Sequence, residues 1–224
     1  MTAPAPRPAE ALAATAAAEQ RLLRSIERMR PEQVFEPSAL PGWTRGHVIT
    51  HLARNADGLV NLLTGAGTGT PTPMYPSEEA REQGIEAGAK RPLPEQLADL
   101  RAAALRLAGA AAAVPDAAWS VEVPHRLGAF PAFGVPPKRL SEIEYHHVDL
   151  ALDYRPEQWP ADFVAVELDR LTTRHLDSGA LDRALLARLG AAPAHARLAW
   201  LSGRSDGSGL GVGLSSLPVL PALG

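Results

Sequence analysis

Cysteine is absent from the 224-residue chain. The chain can therefore form no disulfide, no cysteine-ligated zinc or iron–sulfur site, and no cysteine nucleophile. Any metal site must be built from histidine, aspartate and glutamate side chains. Any thiol that takes part in a reaction has to arrive as a separate small molecule.

Long apolar runs and an excess of one charge are also missing. No run approaches the ~18 apolar residues that a membrane-spanning helix needs. The chain has 22 basic and 25 acidic residues, and without a basic block nucleic acid is not an expected partner. The N-terminus lacks the basic and apolar regions of a secretory signal. We therefore expect a cytoplasmic monomer that binds small molecules, with neither nucleic acid nor membrane as a partner.

What is present predicts a mainly α fold. Hydrophobic residues make up 46% of the chain, which is enough for a core. Proline and glycine at turn spacing predict a loose hairpin within residues 119–137. We expect residues 1–155 to form a four-helix bundle, with a small C-terminal domain over residues 156–224. Helices are predicted at 9–29, 44–64, 77–89, 94–113, 138–154 and 163–177.

Two histidines lie one turn apart on the predicted helix 44–64. On a helical wheel the apolar residues share one arc, with His51 and Asn55 at its edge and His47 about 40° further round. His51 therefore points inward better than His47. A single histidine in this position is more often a hydrogen-bonded core residue than a metal ligand, and both interpretations stay open.

The predicted helix 138–154 is apolar almost all round except for one polar strip. The strip contains Glu142, His146, Asp149 and Asp153, and it lines either a solvent-facing seam or an internal cavity. Glu142 and His146 are four residues apart, so both can reach one ion. With His51 they supply two nitrogens and a carboxylate, as in catalytic zinc sites with an open position. The set also suits non-haem iron, and such helical pairs occur by chance.

Several segments together resemble the mycothiol-dependent maleylpyruvate isomerases, in the DinB-like metal-binding helical-bundle superfamily. They are "LPGWTRGHVITHLARNAD", "TPMY", "RLSEIEYHHVDLALDY" and "GRSDG". The resemblance implies a DinB-like four-helix bundle followed by a small C-terminal α/β domain. Residues 163–224 contain few β-branched alternations, so this second domain looks shortened.

The resemblance also implies roles for individual residues. It places the zinc ligands at His51, Glu142 and His146, and gives His47 a position that is not a ligand. Arg204 matches an arginine that the family uses for activity, and could equally be a surface cation at a helix end. Further candidates for binding the substrate or the thiol are Arg54, Asn55 and Asp149, for which plain helix packing is an equal alternative.

The implied reaction converts maleylpyruvate to fumarylpyruvate in gentisate degradation, a route of aromatic catabolism, with zinc and mycothiol as cofactors. The mycothiol thiolate adds to the activated double bond, the resulting single bond rotates, and the thiolate leaves. Two alternatives stay open. The same centre could transfer mycothiol to electrophiles as a detoxifying S-transferase, or the metal could be purely structural.

Overall fold

The computed structural model describes residues 8–126 and 128–221. The first seven residues, which contribute to the prediction that no secretory signal is present, lie outside this part. The chain separates into two compact units, Met1–Leu152 and Asp153–Gly224. The α-helices of the described residues are α1 (Ala9–Glu27), α2 (Arg45–Thr68), α3 (Glu78–Ala89), α4 (Leu93–Ala113), α5 (Val135–Asp149), α6 (Ala161–Asp177), α7 (Arg183–Leu189) and α8 (Ala194–Leu201).

Four of these helices form the bundle of the first unit. Helix α2 packs against α4 and α5, and α1 closes the bundle by packing against α5 and α4. Helix α3 covers α2 from outside this ring. The mainly α fold with an N-terminal four-helix bundle, predicted from the helical periodicity, is confirmed. None of the helices in the described part combines the length and apolar character needed to cross a bilayer.

The core of the first unit runs along the inner faces of the bundle helices. Each fully buried leucine or isoleucine there stabilises the fold by about 1.5–3 kcal/mol. Helix α2 contributes most, because it is buried on nearly every side. Fully buried aliphatic side chains from the four helices are Leu22, Ile26, Ile49, Leu52, Leu59, Leu62, Leu100 and Ile143.

A buried arginine joins three helices of the bundle. Arg139 on α5 is completely inaccessible to solvent. Its guanidinium donates to both carboxylate oxygens of Glu19 on α1, each at 3.1 Å. It also donates to the carbonyl oxygen of Leu52 (2.8 Å) and to the amide oxygen of Asn55 (2.9 Å) on α2. Because a buried charge is costly without such partners, this network holds α1, α2 and α5 in one register.

Helix α2 begins where the sequence predicts and ends later. Thr44 is its N-cap, and its hydroxyl accepts from the backbone N–H of His47. The helix was expected to end near Thr64, but it continues through the glycines to Thr68. It stops at Gly69, whose φ of 73° is a left-handed conformation that glycine adopts without strain.

Helix α5 differs from the prediction at both ends. It begins at Val135 and ends at Asp149, so Asp153 lies beyond the helix and is not part of its polar strip. Arg45 on α2 donates to the carbonyl oxygens of Leu150 (2.8 Å) and Ala151 (3.2 Å). The carbonyls left by the helix end thus gain a partner from another helix, while Ala151 adopts a left-handed φ of 51°.

The two short strands of the described residues lie in the first unit. Strands β1 (Glu122–Val123) and β2 (Phe130–Pro131) pair antiparallel, within the segment predicted as a loose hairpin. The described residues of the second unit, 153–221, contain helices and turns without a strand. The resemblance had placed the β structure in this second unit. The structure shows instead that the described residues of this unit are helical, with α6 packed against α8. The scarcity of alternating β-branched residues is consistent with this difference.

Candidate metal centre

Three side chains from α2 and α5 meet at one point in the first unit. Nε2 of His51 lies 3.0 Å from Oε2 of Glu142. Nε2 of His146 lies 3.4 Å from the same oxygen. One ligand atom from each residue lies within 4.8 Å of the other two, close enough for all three to hold one metal ion. The structure thus brings together the three residues that both the helical wheel and the resemblance single out.

The centre opens to solvent on the side of α5. The Glu142 side chain remains 35% accessible, whereas the His51 side chain is only 7% accessible. The imidazoles of His51 and His146 are 4.6 Å apart between ring centroids and nearly perpendicular. A cluster with three protein donors and one accessible side leaves room for a further ligand, as in catalytic rather than structural zinc sites.

Burial and mutual hydrogen bonding set the protonation of the cluster. Burial would raise the pKa of Glu142, but hydrogen bonds from His146 and His51 outweigh it, and the pKa lies well below its ordinary value. Burial lowers the pKa of His51, against the hydrogen bond to Glu142. Glu142 is therefore a carboxylate and His51 a neutral imidazole at neutral pH, which are the forms that bind metal.

Asp149 supports His146 from behind. Nδ1 of His146 donates to Oδ2 of Asp149 at 2.8 Å. Burial lowers the pKa of His146, but this hydrogen bond and that with Glu142 outweigh it, so the pKa is raised. Asp149 is almost fully buried. It therefore orients a candidate metal ligand, as carboxylates behind metal-bound histidines commonly do.

We expect Asp149→Asn to weaken metal binding by about 10- to 100-fold, because the ligand histidine loses a charged acceptor. Competition with a chromogenic chelator measures the affinity. Asp153→Asn is the matched control, since Asp153 shares the predicted strip but lies beyond the end of α5. Wild-type affinity in Asp149→Asn would show that this carboxylate does not support the centre.

His47 is held by other partners. Its Nδ1 accepts from the backbone N–H of Thr44 (3.1 Å), and its Nε2 lies 3.3 Å from Glu86. Its ring stacks on Trp43, with centroids 6.1 Å apart, and Trp43 also packs against His51 at 5.6 Å. Both nitrogens of His47 thus have structural partners, consistent with its position outside the predicted ligand set.

The structure gives Arg54 and Asn55 structural partners as well. The Arg54 guanidinium pairs with Asp99 at 2.7 Å and with Asp57 at 3.1 Å. The amide oxygen of Asn55 accepts from buried Arg139. Both side chains thus take part in contacts between α2 and another helix of the bundle.

Two residues at the centre were not assigned a role from sequence. A guanidinium nitrogen of Arg81 on α3 lies 3.5 Å from Nδ1 of His51. The centre of this guanidinium is 6.0 Å from the centroid of the Tyr75 ring. Tyr75 belongs to the "TPMY" segment that carries part of the resemblance, which could have marked it. Nothing in the pattern of α3, an exposed polar helix, distinguishes Arg81 from the other charges there.

Arg204 lies in the second unit, just after α8. Its backbone N–H donates to the carbonyl of Ala199 (2.7 Å), and its guanidinium donates to the carbonyl of Ser202 (2.7 Å). Gly203, with a φ of 77°, forms the turn between the helix and the arginine. The local structure therefore fixes the position of Arg204 within its own unit.

The fold and the cluster together define a helical bundle with a candidate three-residue metal centre. The family model for the mycothiol maleylpyruvate isomerase N-terminal domain matches residues 2–151, more than half of the chain. The chain belongs to this family, as its sequence motifs indicate.

Two solved structures support the assignment over nearly the whole chain. The crystal structure of the mycothiol-dependent maleylpyruvate isomerase is 25% identical, with a TM-score of 0.87 over 96% of each chain. A histidine-to-alanine mutant of that enzyme is also 25% identical, with a TM-score of 0.81 over 89% of this chain and 90% of its own. The comparison with curated proteins gives no significant match.

Proposed function

We propose that the chain is a mycothiol-dependent isomerase that converts maleylpyruvate to fumarylpyruvate. The observation that carries this proposal is the convergence of His51, Glu142 and His146 within 4.8 Å in a member of this family. The similar solved structures, described as maleylpyruvate isomerase, support it over both units. We further propose that residues 1–155 form the metal-binding domain and that the remainder is a small separate domain.

The donor set fits zinc. Two imidazoles and one carboxylate match a catalytic zinc site that keeps a position for a further ligand. The low pKa of Glu142 and of His51 keeps both in their metal-binding forms, and Asp149 holds Nδ1 of His146 so that Nε2 faces the cluster. When bound, zinc supplies a Lewis acid that lowers the pKa of a thiol to below neutrality.

The chain's own residues hold and orient the centre. His51 comes from α2, whereas Glu142 and His146 come from α5, and the Arg139 network keeps these helices in register one turn away. The accessible side of Glu142 is where small molecules can approach. No residue of the chain can supply a thiol, since cysteine is absent, so the nucleophile is the added mycothiol.

An isomerase assay tests the proposal. Purified, zinc-loaded protein with mycothiol should convert maleylpyruvate to fumarylpyruvate. The conversion is measured by chromatography, which separates the two isomers. The same preparation is incubated with mycothiol and a test electrophile, and the formation of the conjugate is measured. Conjugation without isomerisation would replace the proposed function by the S-transferase alternative. Metal binding with neither reaction would favour a structural metal.

We expect Arg204→Lys to reduce kcat/KM by about 10- to 100-fold. A lysine keeps the charge but loses the planar guanidinium, which would bind a carboxylate of the substrate through two hydrogen bonds. Steady-state kinetics with maleylpyruvate measures the effect. Metal content and melting temperature should stay near those of the wild type. Arg188→Lys, at an exposed arginine of the same unit, is the control and should leave kcat/KM unchanged. Unaltered kinetics in Arg204→Ala would exclude Arg204 from the reaction.

A further inference from the structure

Arg81 reaches the metal centre from a helix that is otherwise largely solvent-facing. Its side chain is 22% accessible, although α3 exposes most of its charged residues. One guanidinium nitrogen, Nη1, donates to Glu78 at 3.0 Å. The other, Nη2, lies 3.5 Å from Nδ1 of His51. Nη1 is therefore paired at the surface, while Nη2 is directed toward the centre.

Nη2 of Arg81 cannot accept a hydrogen bond from His51 in the way that Asp149 accepts one from His146. A histidine that binds metal through Nε2 carries its proton on Nδ1 and donates it to an acceptor. A guanidinium has five donor N–H groups and no acceptor. In the metal-loaded state Nδ1 of His51 and Nη2 of Arg81 would both present N–H groups across this contact. In that state Nδ1 of His51 cannot accept from Arg81, so Nη2 can donate to another acceptor at the centre.

Tyr75 holds the guanidinium in place and adds a second polar group. Its ring lies 6.0 Å from the guanidinium carbon, within the range of a cation–π contact. Tyr75 is partly buried, and burial raises its pKa; the charge of Glu142 acts in the same direction, and the charge and hydrogen bond of Arg81 act against it. The hydroxyl thus keeps its proton at neutral pH and can donate a hydrogen bond beside the guanidinium.

A carboxylate is the ligand that this pair of groups fits best. A guanidinium binds carboxylates through two parallel hydrogen bonds, and these charge-assisted bonds are stronger than neutral ones. Maleylpyruvate carries a carboxylate at each end, one of them conjugated to the double bond that isomerises. We infer that Arg81, positioned on Tyr75, binds a carboxylate of the substrate next to the metal centre. The identity of this substrate rests on the function proposed above.

The inference is tested by binding and kinetics in Arg81→Met and Arg81→Lys. Maleate, a dicarboxylate without the pyruvate end, is titrated calorimetrically into zinc-loaded protein, and KM for maleylpyruvate is measured in parallel. We expect Arg81→Met to weaken maleate binding and to raise KM by about 10- to 100-fold. Arg81→Lys should restore only part of the loss. Zinc affinity, measured by chelator competition, should not fall.

Arg91→Met is the matched control, because Arg91 is another partly exposed arginine near α3, paired with Asp99 at 2.6 Å. It should behave like the wild type in all three measurements. A fall in zinc affinity in Arg81→Met would mean that Arg81 supports the metal centre instead of the substrate. Wild-type maleate affinity and KM in Arg81→Met would overturn the inference while leaving the isomerase standing.

The binding measurement separates this inference from the proposed function. Arg81-dependent maleate binding in a protein that does not isomerise maleylpyruvate would keep the carboxylate site and reject the isomerase. An active isomerase whose wild-type form binds no maleate, and whose KM is the same in Arg81→Met, would reject the carboxylate site alone. The absence of both maleate binding and isomerisation in the wild type would reject both.

Discussion

Alanine in place of His51, Glu142 or His146 is expected to leave the purified protein with almost no metal, against about one divalent ion per chain in the wild type. Each substitution removes one of three donors that lie within 4.8 Å of one another. Two remaining donors bind a divalent ion far more weakly than three. Isomerase activity should fall to background in all three variants.

Elemental analysis after dialysis against metal-free buffer measures the metal content. His47→Ala is the matched control, because this histidine lies one turn from His51 but contacts Thr44 and Glu86 instead. It should keep its metal and lose at most the ~1 kcal/mol that a helix cap contributes. A wild-type metal content in the His51, Glu142 or His146 variants would remove that residue from the ligand set.

Purified protein is expected to be inactive on maleylpyruvate without thiol and active with mycothiol. The reason is chemical: the chain has no cysteine, so it cannot supply the thiolate that addition to the double bond requires. Removing zinc should abolish the activity even with mycothiol in excess, because an uncoordinated thiol is mostly protonated at neutral pH. Without thiol, and without zinc, the isomerase activity should fall below the limit of detection.

The assay follows fumarylpyruvate formation with no thiol, with mycothiol and with glutathione, each with zinc-loaded and chelator-treated protein. Glutathione should serve poorly, because an enzyme that depends on mycothiol, as proposed, has to bind the sugar–inositol body that glutathione lacks. Re-addition of zinc should restore the activity of the chelated sample, which controls for unfolding. Full turnover without any thiol would reject thiolate addition as the mechanism.

Much of the fold was predictable because it depends on local periodicity. The four bundle helices were all predicted from local residue patterns, and α2 begins at the predicted position, with Thr44 as its N-cap. The ends of helices were less predictable. The predicted helix ended at residue 64, whereas α2 continues through residues 65–68 and stops only at Gly69.

The candidate centre was predictable in part for a similar reason. The spacing of Glu142 and His146 puts them on one face of a helix whatever surrounds it. Asp149 was placed on the same strip, but its sequence position does not reveal that it bonds to Nδ1 of His146. Arg81 comes from a separate helix with no distinctive pattern, so only the folded chain brings it to His51.

The amino-acid sequence by itself determined the helices of the bundle, the kinds of ligand available and the absence of a thiol in the chain. These follow from residue types and from spacings within one helix. The tertiary structure alone decided that His51 faces Glu142 across 91 residues of chain. It also decided that α5 ends at Asp149, because Arg45 from α2 donates hydrogen bonds to the carbonyl oxygens of Leu150 and Ala151. Both depend on contacts between helices distant in sequence, which local periodicity does not encode.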